Sequence, residues 1–425
     1  PVTTPARVLD DVQTAIAGTH NSMAIRNDGT LWAWGANGLG QLGGGAANAQ
    51  REPIQILAGI RAVALGAHHS LALGTDGAVW AMGSNYYGAL GDGTRQNRGM
   101  PVRVMDGIRA IAAGGTQGHS IALGYDGRLW AWGWNVYGQL ADGKKGTRAT
   151  PAVVLDSAQD MAAGYRHSLA VKTDGSLWSW GSNFAGRLGD GTEQDRAAPA
   201  KILSNVRAVA TSLTHSLAIT SDGTLWGWGQ NPESQLGNGS SSAHKSPVPV
   251  LEGVKSVAAG WYYSLILKTD GTLWTIGENS AGQLGDGTTT GRWTFARILD
   301  NVASVAAGTS HSLALKSDGT VWAWGYNRDG QIGDGTTMDK LSPVQVLSNV
   351  QSSSANAQHS LAVANDGSLY AWGNNLSGRL GNNSKVNQSS PVRVMGGVVA
   401  ASAGGSYSLA LKSDGSVHSW GFNDS

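Results

Sequence analysis

Along this chain apolar and polar residues alternate in short bursts, and the same bursts keep returning. One unit shows the pattern: Val305-Ala-Ala-Gly308, then Ser312-Leu-Ala-Leu-Lys316, then Val321-Trp-Ala-Trp-Gly325, then a run at Pro343–Leu347. Each burst alternates with period two and is bounded by glycine, asparagine or aspartate, and no helical period appears, so each reads as a β-strand. An Asp-Gly pair such as Asp318-Gly319 separates the second and third bursts in all nine copies. That pair predicts a tight hairpin whose two central positions both take positive φ.

Side chains two apart on a strand share a face. Trp322 and Trp324 are thereby expected on one side and Ala323 on the other, while Leu313 and Leu315 flank Ala314 in the same large-small-large manner. The position between the aromatics is small throughout, including Ala33, Ala131, Ser179, Gly227 and Thr275. Sheets with one bulky and one shallow face can interlock, which makes the tryptophans packing residues. Burying one is worth roughly 2–3 kcal/mol.

The phrase Leu-Trp-Ala-Trp-Gly-x-Asn, with variants, places its glycine at 35, 83, 133, 181, 229, 277, 325, 373 and 421, a spacing of 48 with one interval of 50. A fixed period of that size means stacked copies of one supersecondary unit. The chain starts within a unit, at Pro5-Ala-Arg-Val-Leu9, and its last unit ends after the third burst, at Trp420-Gly421. The first residues can supply the strand that the last unit lacks, leaving no open edge. The expected architecture is all-β: one domain over residues 1–425, a propeller of nine four-stranded antiparallel blades closed by the N-terminal strand, with a solenoid as the alternative.

The repeat resembles the regulator of chromosome condensation family, on Ala-Ala-Gly-x-x-His-Ser-Leu-Ala-Leu, Asp-Gly, Leu-Trp-Ala-Trp-Gly-x-Asn-x-x-Gly-Gln-Leu-Gly-Asp-Gly, and the likeness covers essentially the whole chain. Members of that family are typically seven-bladed, so the count here departs from the pattern. The family includes a guanine-nucleotide exchange factor, an ultraviolet-B photoreceptor and bacterial inhibitors of β-lactamases. Exchange would require an added wedge, and no insertion exceeds two residues, near Gly115–Gly118. Light sensing would require a tryptophan after the inner-strand glycine in several adjacent blades, and only Trp261 stands there. The resemblance therefore implies a non-catalytic binding propeller of the inhibitor kind, in a bacterium, secreted or at the cell surface.

Composition narrows the functions further. Thirty basic and 29 acidic side chains nearly cancel, which lacks the footprint of a nucleic-acid or anionic-membrane binder. No apolar stretch approaches the ~20 residues of a membrane helix. The absence of an initiator Met and of a leader reads as a mature or trimmed form. Zero cysteines exclude disulfides, thiol catalysis and cysteine zinc sites. The repeated His69, His119, His167, His215, His311 and His359, replaced by Asn21, Tyr263 and Tyr407 elsewhere, read as buried groups bonding backbone rather than metal ligands. The Gly-Asp-Gly-Thr loops offer one carboxylate each, too few for the roughly 6–8 oxygens calcium takes, so they read as turns. No nucleophile, base and orienter stand apart from the repeat, and no cofactor or enzyme activity is expected.

What breaks the repeat is aromatic. In a four-strand meander the loops after strands one and three share a face. That face is expected to carry Tyr165-Arg166 and Trp261-Tyr262-Tyr263 near the axis, then Tyr86, Tyr87, Trp134, Tyr137 and Phe184 from three successive blades, with Tyr326 beyond. Trp293 is expected to interrupt a further loop. Exposed aromatics with arginine have the composition of protein-interface hot spots, so a protein partner is expected. The alternatives are a lectin stacking sugars on Trp261, Trp293 or Trp134, and a structural repeat of a larger surface protein.

Overall fold

A computed structural model describes residues 2–17, 21–45, 48–114, 118–164, 166–211, 215–232, 236, 238–356 and 358–422. The fold class is the expected β-propeller: nine four-stranded antiparallel sheets, each a meander of consecutive strands. Blades 1 to 8 run over 12–57, 60–105, 108–155, 158–203, 206–251, 254–299, 302–347 and 350–395. Blade 9 takes three strands from 398–421 and its outer strand from Val2–Leu9, which pairs Val2 with Gly421 and Leu9 with Val417. The only helical element among the described residues is a single 3-10 turn at Phe184–Gly186. The chain divides into two compact units, one holding the strands of blades 1 to 5 and the other blades 6 to 9 with the N-terminal strand and residues 238–241.

Blade 7 shows how the alternation becomes a core. Its strands are Val302–Ala307, His311–Lys316, Val321–Gly325 and Lys340–Leu347, so the outer strand starts three residues before the expected Pro343. Register sets Leu313 opposite Ala323 and Ala314 opposite Trp322, so each face pairs a large residue with a small one. On one face Ala314 and Trp324 pack with Leu265, Leu267 and Leu273 of blade 6. On the other, Leu313, Leu315 and Ala323 pack with Ala362 and Trp372 of blade 8. Trp324 is fully buried, while Trp322 is half-buried beneath the Lys316 ammonium and donates to Thr320 Oγ1 at 3.0 Å.

The Asp-Gly hairpin differs from expectation. Lys316 N donates to Thr320 O and Gly319 N to Lys316 O, which closes a three-residue loop in which only Gly319 has positive φ, at 80°. Such a loop needs one left-handed residue, as in a bulged hairpin, rather than two. Asp318 uses its carboxylate to accept from Thr320 N at 3.0 Å and Thr320 Oγ1 at 2.6 Å.

Gly325 has φ near 103°, and a Cβ there would lie 2.6 Å from Ser310 O. Both the dihedral and the contact forbid a side chain. Gly325→Ala is expected to cost about 2 kcal/mol or more, read as a lower midpoint in urea at unchanged slope. An unchanged midpoint would show that the strand end can shift at no cost.

Candidate functional site

The face is built on a hydrogen-bonded belt that joins neighbouring blades. In blade 7, Gln283 O of blade 6 accepts from both Ser312 Oγ at 2.9 Å and Trp324 Nε1 at 2.9 Å. Gln331, Arg187 and Arg379 offer the same double acceptor to Ser360 with Trp372, Ser216 with Trp228, and Ser408 with Trp420. The histidines join this belt through serine and not through backbone, as the sequence had suggested. His311 Nε2 lies 3.0 Å from Ser360 Oγ, His167 Nε2 3.1 Å from Ser216 Oγ and His359 Nε2 2.8 Å from Ser408 Oγ. Each serine hydroxyl gives its proton to a carbonyl, so each imidazole must donate from Nε2 and keep its lone pair on Nδ1. Burial pushes His119 and His311 down to about 4 and His167 and His359 down to about 3. These are neutral belt groups. Tyr263, expected on the exposed face, is instead buried: it fills the same place in blade 6, donating to His311 O at 2.5 Å.

The outer loops are held by the Asn of the repeated phrase. Asn327 Oδ1 accepts from Ile332 N at 2.9 Å, and its Nδ2 reaches Asp334 Oδ1 and Thr336 O. Asp334 accepts in turn from Thr336 N and pairs with Lys340 Nζ at 2.7 Å. The loop aspartate is an organiser of its own turn.

On this frame the structure gathers a cluster of rings from blades 2 and 3, with Arg166 of blade 4 over it. Tyr86 and Tyr87 meet edge to face at 4.8 Å. Tyr87 lies 6.3 Å from Trp134, and Trp134 meets Tyr137 edge to face at 5.4 Å. Arg166 of blade 4 sits over both rings, 5.9 Å from the Trp134 centroid and 5.1 Å from Tyr137, and donates to the Tyr137 hydroxyl at 3.2 Å. Phe184 follows, 62% exposed, with the Arg187 guanidinium 5.6 Å from its ring and Arg187 Nε donating to Phe184 O. Arg187 itself is only 6% exposed. Desolvation, with the nearby Arg166 charge, lowers its pKa.

Two further members differ from expectation. Trp134 is 7% exposed, because Tyr87, Tyr137 and Arg166 cover it, so it is the platform beneath the face and not part of its surface. Trp293 lies on the outer strand Arg292–Leu299 and not in a loop; it is exposed, and its carbonyl accepts from Gly239 N. Trp261 and Tyr262 are strongly exposed, Trp261 at 74%, and meet at 6.3 Å as a separate pair in the unit of blades 6 to 9. Tyr165 lies outside the described residues. Arg187 went unrecognised in the sequence; its signal is Gly-Arg-Leu-Gly at 186–189 where blade 3 reads Gly-Gln-Leu-Ala.

Comparisons with known proteins agree with this architecture. The RCC1-like domain model matches residues 151–425, and the regulator of chromosome condensation (RCC1) repeat matches 28–73, 76–123 and 126–171. Yeast RCC1 (Prp20), in a crystal structure bound to Kap60, superposes with a TM-score of 0.55 at 22% identity over 92% of this chain and 89% of that one. Human WBSCR16 superposes with a TM-score of 0.50 at 21% identity over 81% of this chain and 98% of that one. At such identities the likeness is one of fold. No curated protein matches the chain. The matched repeats and domain together place the chain in the RCC1 repeat family.

Proposed function

We propose that this chain is a non-catalytic scaffold that binds a partner protein through the aromatic cluster of blades 2 to 4. The observation that carries the reading is the run of touching rings from Tyr86 to Tyr137, capped by Arg166, with Phe184 exposed on the same blade as Arg166. It combines a buried platform with exposed rings and arginine, as interface hot spots do. Yeast Prp20, a protein of the same fold, is bound to the protein Kap60 in its crystal structure, which supports the reading by analogy. Among the described residues no helix is long and apolar enough to cross a membrane.

Tyr86 and Phe184 are exposed, so Tyr86→Ala with Phe184→Ala removes contact area without opening the core. A partner captured from the native source is expected to bind this variant about 30-fold or more weakly, given roughly 2 kcal/mol for a hot-spot residue, while thermal melting stays unchanged. Equal binding would move the interface elsewhere.

A second reading rests on the Trp261–Tyr262 pair, whose open rings suit a sugar face as well as a protein. A glycan array read with wild type and with Trp261→Ala tests it. Binding abolished by the substitution would establish a lectin site, and an array blank for both would remove that reading.

A further inference from the structure

We infer that the element seated on blades 2 to 4 is an acidic segment of the partner protein, one that brings an Asp or Glu carboxylate to Arg166 above the Trp134–Tyr137 pair. This rests on the protein-binding reading and adds the chemistry of the partner to it.

Charge complementarity carries the inference. The loops 85–98, 135–148 and 183–196 together with Arg166 hold eight cationic side chains against five carboxylates, whereas the whole chain is nearly neutral. Most of those carboxylates are committed to their own loops. Asp92 pairs with Arg98 at 2.7 Å, Asp142 with Arg148 at 2.7 Å, and Asp190 with Arg196. Asp195 accepts from Asn183 N at 2.9 Å and lies 3.7 Å from Lys145 Nζ. With Arg98, Arg148, Arg196 and Lys145 facing those carboxylates, the loops and Arg166 keep a net positive charge around the rings.

Geometry makes that surplus directional. Arg166 donates to the Tyr137 hydroxyl and rests against two aromatic faces, an arrangement that fixes the planar guanidinium for carboxylate recognition. Arg187 lies beneath Phe184 and adds a second positive charge from the same blade without itself reaching far into solvent. The two guanidinium groups repel each other, which contributes to the lowered pKa of Arg187, and a carboxylate placed at Arg166 relieves that repulsion. The rings supply apolar area around a charged centre, so the fitting segment carries its acid among apolar or aromatic side chains rather than in a purely acidic run.

The repeat itself supplies mild substitutions. Blade 8 carries Gln358 where blade 4 has Arg166, and blade 3 carries Gln139 where blade 4 has Arg187, so Arg166→Gln with Arg187→Gln uses residues this fold already accommodates. The probe is a phage-displayed library of random peptides panned on the full chain, with melting curves confirming that each variant folds. Peptides that need Tyr86 and Phe184 are expected to be enriched in Asp and Glu, to bind the double glutamine variant about tenfold or more weakly, and to lose affinity as salt rises. Peptides that need Tyr86 and Phe184 but are neutral or basic would overturn the acidic-partner inference and leave the protein-binding reading standing. A panel in which no peptide needs those rings would overturn both.

Discussion

Acidification from neutral to about pH 4.5 is expected to lower the melting temperature steeply, and the belt histidines are the cause. His69, His119, His167, His311 and His359 are buried, each bonded through Nε2 to a serine of the next blade. Burial holds their pKa values at about 4 for His69, His119 and His311 and about 3 for His167 and His359. Once unfolded they return to about 6.5. Between those values the unfolded chain binds protons that the folded chain refuses, so stability is fully present above about 6.5 and falls as the pH drops toward the folded values. Each histidine forfeits on the order of 3 kcal/mol across that window. Five together rival or exceed a whole stability on the order of 5–15 kcal/mol, so unfolding should precede protonation of the native belt.

The aspartates act in a separate window. Asp92, Asp190, Asp286 and Asp334 are held below their ordinary value by hydrogen bonds and cationic partners that outweigh desolvation, and their contribution is lost only below about pH 4. Tryptophan fluorescence melts at several pH values between about 7 and 4 separate the two groups. A melting temperature flat from about pH 6.5 to 4.5 would contradict the histidine account. His311→Tyr, which copies the solution at Tyr263, should reduce the proton uptake on unfolding by one and soften the pH dependence.

Much of this was readable in the sequence because the relevant physics is local and repeated. Period-two alternation around Trp322, Ala323 and Trp324 places one small residue between two large ones, and the register realises it. The turn type was not readable, since Asp-Gly serves both a two-residue loop and a bulged three-residue loop; the choice is made by Lys316 pairing with Thr320. The partner of each histidine is hidden for a different reason. Ser360 lies 49 residues from His311, one more than the repeat length, so the bond exists only once two blades are stacked. Trp134 looked like a surface aromatic because nothing in its own blade's sequence shows that Tyr87 and Arg166, from the blades on either side, close over it. Arg187 was hidden inside a match to the repeat, where a glutamine position carries a charge.

Deleting residues 1–9 is expected to produce the largest loss of stability of any short truncation. The strand Val2–Leu9 is the outer strand of blade 9 and pairs antiparallel with Val417–Gly421. It also reaches blade 8, where Asn383 N donates to Thr3 O at 2.8 Å, and Val2 packs against the cluster that holds Leu361, Leu380 and Trp420. Without it the strand Val417–Gly421 becomes an open edge with unpaired backbone groups, a template for association between chains. Each lost hydrogen bond costs about 1 kcal/mol, and loss of the apolar cover over Trp420 adds to that. The shortened chain is expected to melt lower by roughly 10 °C or more and to aggregate on concentration. A synthetic peptide of the deleted residues, added in trans, should restore the melting temperature in a concentration-dependent way, as binding to the folded state alone requires. A truncated chain that melts like the full one and ignores the peptide would mean that three strands suffice for blade 9, and that the N-terminal strand closes nothing.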